Sequence, residues 1–249
     1  NLVEEYRDKV VDYMVDGYSK GETPNPDVMC NREIKFGAFL DLARKQGFDR
    51  VATGHYCRRI KNEDQVQLWE GKDKNKDQSY FLALLRQDRL NQALFPLGDL
   101  TKPEVRKIAL ESGLPVAEKK DSQGICFLGK VNVNDFLAEY IPDSPGEVVD
   151  ASGNKLGRHK GLHRYTLGQR KGIGIPSNRE DEHYVVVAKK LRENQLVVAF
   201  ECTGAPGLYG QSFTVSGLSF IDSPIDEETS LLAKPRYRDP SQKIHFRPL

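Results

Sequence analysis

The chain has 249 residues, 38% of them hydrophobic and 29% charged, enough apolar material for one large domain or two or three small ones. Lysine and arginine exceed aspartate and glutamate by one, so net charge neither argues for nucleic acid nor excludes it. No apolar run reaches the roughly 18–20 residues needed to span a bilayer, the acidic start "NLVEEYRDKVVDYM" is not a signal peptide, and four cysteines without a CxxC pair exclude a disulfide scaffold and leave a zinc site unsupported.

Leu2, Val3, Tyr6, Val10 and Met14 recur at helical spacing and predict a helix over 2–18, ended by Gly21 and Pro24. A second helix is expected from about Cys30 to Gln46, with Ile34, Phe39, Leu40 and Leu42 toward a core and Gly47 as its stop. "RVATGHY" (50–56) reads as a short buried strand ending near a glycine, the rhythm of an α/β sheet. "CRRIKNEDQVQLWEG" (57–71) alternates on both sides of a polar turn at 61–64 and reads as a hairpin. Residues 77–95 read as helix with a break near Gln87. "TKPEVRKIALESGLP" is the clearest helix, with Thr101 and Glu104 as a capping box and Gly113 as its stop. Asn132 is placed to cap a helix over 133–141. From Pro145 short β runs take over: "GEVVD", "HYVVVAK", "QLVVAF", "SFTVSGLSF" and "SLLAKPRYR" predict a mostly β, barrel-like half.

Two cysteines stand in unusual loops. In "GETPNPDVMCNREIKF" (21–36), Pro24 and Pro26 fix φ and lower the entropy cost of holding Asn25 and Asp27 in place. Cys30 falls near the first helical turn, where the positive end of the dipole favours a thiolate; the alternative is an Asx cap followed by a small core residue. In "DSQGICF" (121–127), Gly124 allows close backbone approach near Cys126, or Cys126 is a buried thiol of an apolar strand. Two reactive thiols would suit sulfur transfer through a persulfide. Gly54 and His55 close a predicted strand, the place where open α/β sheets bind ligands. Lys76, Asp77 and Gln78 precede a predicted helix as either an N-cap or a contact to RNA. "GRHKGLHRYTLGQRKGIGI" (157–175) holds no acid and reads as a basic, RNA-facing patch with Tyr165 available to stack. "KPRYRD" (234–239) is a weaker patch of the same kind. No set of metal ligands stands out.

"GETPNPDVMCNREIKFGAFL", "ATGHY", "KDQSYFL", "KDSQGICF" and "YTLGQRKGIGI" together resemble the bacterial tRNA 2-thiouridylase family, in order along essentially the whole chain. The resemblance implies an α/β adenine-nucleotide alpha-hydrolase-like (PP-loop) catalytic domain over 1–132. A small central tRNA-binding domain would follow over 133–204, then a mostly β, barrel-like C-terminal domain over 205–249. It implies ATP-dependent conversion of the tRNA wobble uridine to 2-thiouridine through an adenylated uridine. Cys126 matches the persulfide-carrying cysteine and Cys30 the second catalytic cysteine, able to form a disulfide with it. Asn25, Pro26 and Asp27 match the segment that meets the target base, with Asp27 an acid/base candidate. Gly54 matches an ATP contact, and His55, Lys76, Asp77, Gln78, Arg236 and Tyr237 match tRNA contacts. The cofactor implied is ATP with Mg²⁺, and the partners are tRNA and a protein sulfur-relay donor. A monomer in the cytoplasm, away from membranes, is expected.

The family's glycine-rich SGGxDS-type phosphate loop has no counterpart among these residues, and residue 1 falls inside a predicted helix. The expectation is therefore a PP-loop domain truncated at its N-terminus and a chain inactive alone. Competing readings are another adenylating RNA sulfurtransferase or amidotransferase, a catalytically inactive tRNA-binding module, and a thiol redox switch.

Overall fold

The computed structural model describes residues 1–249 apart from 64, 120–130, 178–181, 203 and 206. The chain opens with one helical run: α1 (Val3–Tyr6), a π-helical segment (Arg7–Val11) and α2 (Asp12–Ser19). A second run joins α3 (Pro26–Met29), a π-helical segment (Cys30–Ala38) and α4 (Phe39–Lys45). There follow β1 (Val51–Ala52), β2 (Cys57–Lys61), β3 (Val66–Glu70), a 3-10 turn (Ser79–Leu82), α5 (Gln87–Leu90), β4 (Ala93–Leu94) and α6 (Lys102–Glu111). Beyond α7 (Val133–Leu137) come β5 (Gly146–Val149), β6 (Lys155–His159), a 3-10 turn (Leu162–Arg164), β7 (Tyr184–Lys190) and β8 (Gln195–Phe200). The last elements are β9 (Thr229–Ala233) and β10 (Gln242–Phe246).

These elements form two compact units. The first comprises residues 1–10, 27–123 and 217–249. In it β1 pairs parallel with β4, while β2–β3 and β9–β10 are antiparallel hairpins. Its core gathers Phe36, Cys57, Val66, Leu82, Leu85, Leu90 and Ala93, with Ile221 packed against it. A second cluster joins Val10, Met29, Cys30 and Ile34.

The second unit comprises residues 11–26 and 124–216. Its sheet runs β6-β5-β8-β7, with β5 and β8 parallel and the other pairs antiparallel. Val148, Val186, Leu196 and Val198 belong to one buried cluster, and Val149, Val185, Val187 and Val197 to another. Alternate residues thus enter different cores, which is why these strands read as continuous apolar runs. Among the described residues the sheet is open, ending at β6 and β7, so the expected barrel is seen as an open four-stranded sheet.

Helix stops follow the sequence closely. Gly21, at φ +77°, donates its N–H to Tyr18 O (3.0 Å), and Glu22 N–H reaches Gly17 O (2.9 Å). Gly47 ends α4 in the same way. Thr101 and Glu104 form the expected capping box, and the Asn132 side chain accepts from Asn134 N–H.

Other expectations fail for local reasons. Phe39 and Leu42 are exposed, and Phe36 is buried instead. Ile34 and Leu40 are buried as expected, but the wider π-helical turns and the break at Gly37 spoil the 3.6-residue period, so it misplaces Phe36, Phe39 and Leu42. Residues 77–95 are not one helix. The Gln87 side chain donates to Val66 O (3.0 Å) and Arg89 pairs with Asp41, so tertiary anchors override helix propensity there. "SFTVSGLSF" forms no strand, and Phe213 is exposed. The strand in "RVATGHY" is only two residues long. The basic segment 155–159, which was not among the β runs expected from sequence, is strand β6.

Candidate active site

Pro26 opens α3, the first helical position at which a missing N–H costs nothing. Asp27 lies half-buried in the first turn, where negative charge complements the helix dipole. Cys30 begins the next turn, at the start of the π-helical segment, and is only 5% exposed among Val10, Met29 and Ile34. This places it one turn deeper than a cysteine at the helix mouth, where the dipole's influence has already weakened. Asn25 and Pro26 belong to the second unit and Asp27 and Cys30 to the first, with the helical chain running through the division. Cys126, and the whole of "DSQGICF" (121–127), lie outside the described residues.

Gly54 is exposed just past the carboxyl end of β1. A Cβ built there would meet nothing nearer than Leu97 Cδ1 at 3.8 Å, so the backbone is open to a ligand. His55 turns inward, 7% exposed, between Phe36 and Phe95 with both ring centroids at 6.2 Å. Its Nδ1 is 2.8 Å from Thr53 Oγ1. Burial, reinforced by the Lys35 charge, pushes its pKa down to about 4, so the ring is neutral at pH 7. Contact between this ring and RNA would require the aromatic packing to open.

The segments 76–78 and 234–238 lie far apart in sequence and meet in the first unit. Asp77, 5% exposed, accepts from Gly71 N–H (2.9 Å) and Ser79 Oγ–H (2.8 Å), with Lys234 Nζ at 3.8 Å. Lys234 also pairs with Glu70 at 3.2 Å. Gln78 Oε1 accepts from Tyr56 N–H (3.1 Å), and Gln78 N–H donates to Tyr56 O (3.0 Å). Asp77 and Gln78 therefore fix the loop that carries Lys76. Tyr237 packs on Phe81 at 4.5 Å between centroids and on Tyr80 at 6.1 Å, with the Arg238 guanidinium 5.4 Å from its own ring centroid. Arg236 is exposed beside it.

The basic stretch 157–171 is more divided than its composition suggests. Arg158, Lys160 and Lys171 are exposed, but Arg164 pairs with Asp143 (2.6 Å) and Arg170 with Glu201 (2.8 Å). Tyr165 is buried, so it is not a stacking surface. His159 and His163 are buried, and desolvation lowers both pKa values. They stand four residues apart, a spacing that places two ligands on one face only in a helix. Here β6 ends at the first and a 3-10 turn holds the second, and no group of three candidate ligands occurs among the described residues. None of the helices among them is long and apolar enough to cross a membrane.

One polar residue was not singled out by sequence. Asn31, beside Cys30, is 3% exposed and donates Nδ2–H to Phe81 O at 3.0 Å. Its Oδ1 meets no hydrogen-bond donor among the described residues. The available signal was an asparagine three residues before Ile34, on a face that is otherwise apolar.

Comparison with known proteins covers almost the whole chain. The family model described as tRNA methyl transferase HUP domain matches residues 1–130, and that described as tRNA methyl transferase PRC-barrel domain matches 134–200. A tRNA-specific 2-thiouridylase MnmA from Akkermansia muciniphila is 54% identical over 96% of this chain and 66% of its own length. A tRNA-specific 2-thiouridylase MnmA 1 from Geobacillus kaustophilus is 47% identical over 100% of this chain and 68% of its own. A Staphylococcus aureus tRNA-specific 2-thiouridylase MnmA is 47% identical over 98% and 66%. The chain spans about two thirds of the length of these curated relatives. With both family models and this level of identity along its length, the chain belongs to the tRNA-specific 2-thiouridylase family.

Proposed function

We propose that this chain carries out sulfur transfer to C2 of the wobble uridine of tRNA. The observation that supports this most is the 54% identity to a 2-thiouridylase across 96% of the chain. ATP supplies activation of the uracil 2-oxygen as a leaving group. Gly54, open at the strand end, is compatible with close approach of a nucleotide. A glycine-rich phosphate cradle is not among these residues. Mg²⁺ would accompany the phosphates.

In this reading a protein sulfur-relay donor loads Cys126 as a persulfide. The persulfide's terminal sulfur bonds to C2, and the activated oxygen leaves. The Cys30 thiolate then attacks Cys126 Sγ, breaking the S–S bond. The electron pair stays on the sulfur bound to C2, giving 2-thiouridine and a Cys30–Cys126 disulfide. Asp27 is the candidate proton acceptor, Asn25 and Pro26 hold the base-facing loop, and His55 belongs to the RNA-facing set through the loop it anchors. Lys76, on a loop held by Asp77 and Gln78, contacts the RNA together with Arg236 and Tyr237 from the 234–239 segment. The work is divided among a catalytic domain (1–132), a central tRNA-binding domain (133–204) and a C-terminal β domain (205–249), in a cytoplasmic monomer.

The family-model description raises methyl transfer as a second reading. Incubation of the full chain with ATP, Mg²⁺, a persulfide donor and unmodified tRNA, followed by nucleoside mass spectrometry, separates the two. We expect 2-thiouridine with the wild type and none with Cys126→Ser when a glycine-rich phosphate loop is supplied within the same polypeptide, and none from these 249 residues alone. A methylated nucleoside formed with a methyl donor, or tRNA binding with no modification once the phosphate loop is supplied, would overturn the sulfur-transfer reading.

A further inference from the structure

Asn31 links two places the proposed function keeps separate. It follows Cys30 directly, in the π-helical segment that Cys30 begins. Its Nδ2–H donates to the main-chain oxygen of Phe81, in the 3-10 turn that follows Asp77 and Gln78. Phe81 packs its ring on Tyr237, the residue beside Arg236. A short chain of contacts thus runs from Cys30 through Asn31 and Phe81 to the surface assigned to RNA. All of it lies within the first unit.

The chemistry of the side chain argues against mere packing. The site is almost fully enclosed, 3% exposed, and the neighbouring Cys30, Met29 and Ile34 form an apolar cluster. An apolar residue would fill such a place without leaving an acceptor bare. Asn31 instead keeps a buried Oδ1 with no donor among the described residues. Buried amides whose oxygen is left without a donor are uncommon in settled cores and call for a reason.

We propose that Asn31 is a positioning residue for Cys30: it ties the turn that begins at Cys30 to the 79–82 turn, so that RNA bound at 76–78 and 236–237 sets the placement of the thiol. This rests on the sulfur-transfer reading for the role of Cys30, but not for the link itself.

The test uses the full chain. Iodoacetamide alkylation of Cys30 is followed by peptide mass spectrometry across about pH 6–10, with and without an unmodified tRNA transcript, in wild type and Asn31→Leu. Wild-type Cys30 should change its alkylation rate on RNA binding. In Asn31→Leu the RNA-free pH profile should shift, with a rate change of about tenfold at neutral pH, and the response to RNA should be lost. Affinity for the transcript should stay within about twofold, since no RNA contact is removed. A Cys30 profile and RNA response that superimpose on wild type would overturn the proposal. If Asn31→Leu does not fold, Phe81→Leu decides. It keeps the accepting carbonyl but loosens the turn from Tyr237, so an unchanged RNA response of Cys30 in it would equally overturn the proposal. If wild-type protein binds no RNA, the tRNA reading fails, while the RNA-free comparison still judges the link to Asn31.

Discussion

At the residue scale, burial decides what each candidate can do. His55 was legible as a residue at a strand end, but its inward turn was not. That turn depends on Phe36 and Phe95, two rings brought together only by folding. Its pKa, lowered from 6.5 to about 4, makes an acid-sensitive stability term. The unfolded chain takes up the proton first as pH falls below 6.5, so the folded state loses stability between about pH 6.5 and 4. The loss is on the order of 3 kcal/mol when complete. His55→Phe should flatten this part of the acid limb in urea-unfolding curves at pH 7 and 5, leaving the slope contributed by His159 and His163, whose pKa values are lowered in the same direction. An acid limb as steep as that of wild type would show that His55 is not the group responsible. Asn31 escaped notice for a related reason: an asparagine beside a cysteine looks like a surface residue until its 3% exposure is known. Its unpaired oxygen carries a cost of about 1–3 kcal/mol.

At the element scale, helix ends were readable and helix faces only in part: Val10, Met14, Ile34 and Leu40 are buried as their spacing predicts, while Val3, Phe39 and Leu42 are exposed. Capping is local chemistry, so Thr101, Asn132, Gly21 and Gly47 announce themselves in sequence. Phe39 and Leu42 were misplaced on the second helix because the segment Cys30–Ala38 is π-helical and Gly37 breaks it with φ −101° and ψ −108°. A Cβ at Gly37 would lie 2.8 Å from Arg32 O, so the close turn itself excludes a larger residue. The two αL glycines allow a controlled comparison. Gly47→Ala adds a methyl to open space and should cost about 1–2 kcal/mol, the αL strain alone. Gly21→Ala adds the same strain plus an overlap with Leu191 Cδ2 at 2.5 Å, so it should cost about 1–3 kcal/mol more. Chemical unfolding of both variants measures the difference. Equal losses would mean that Leu191 swings away and that the loop before Asn25 is not clamped there.

At the scale of the whole molecule, the first unit is assembled from three stretches of chain, which no reading of local pattern could supply. Ile221 packs on the core around Leu82, and Lys234 reaches Glu70 and Asp77, so 217–249 is part of the framework under the proposed RNA surface. The motifs were legible in sequence because their chemistry is local; their meeting was not, because it depends on contacts more than 150 residues apart, such as Lys234 with Glu70. This separates two cations that composition treats alike. Arg236→Ala should lower tRNA affinity and reduce the slope of log K against log salt by about 0.7–0.9, the loss of one phosphate contact. Lys234→Met should leave that slope unchanged and lower the melting temperature instead, because its charge is already engaged by Glu70 and Asp77. A reduced slope for Lys234→Met would place that lysine on the RNA.

The central claim is that Cys30 releases the sulfur carried by Cys126. The most direct measurement is a single-turnover reaction of the persulfide-loaded chain, supplied with a glycine-rich phosphate loop in the same polypeptide, with ATP, Mg²⁺ and unmodified tRNA, quenched with alkylating agent and mapped by non-reducing peptide mass spectrometry. The account predicts one Cys30–Cys126 disulfide for each 2-thiouridine formed, and no 2-thiouridine release with Cys30→Ser. Formation of 2-thiouridine while Cys30 remains fully alkylated would contradict it.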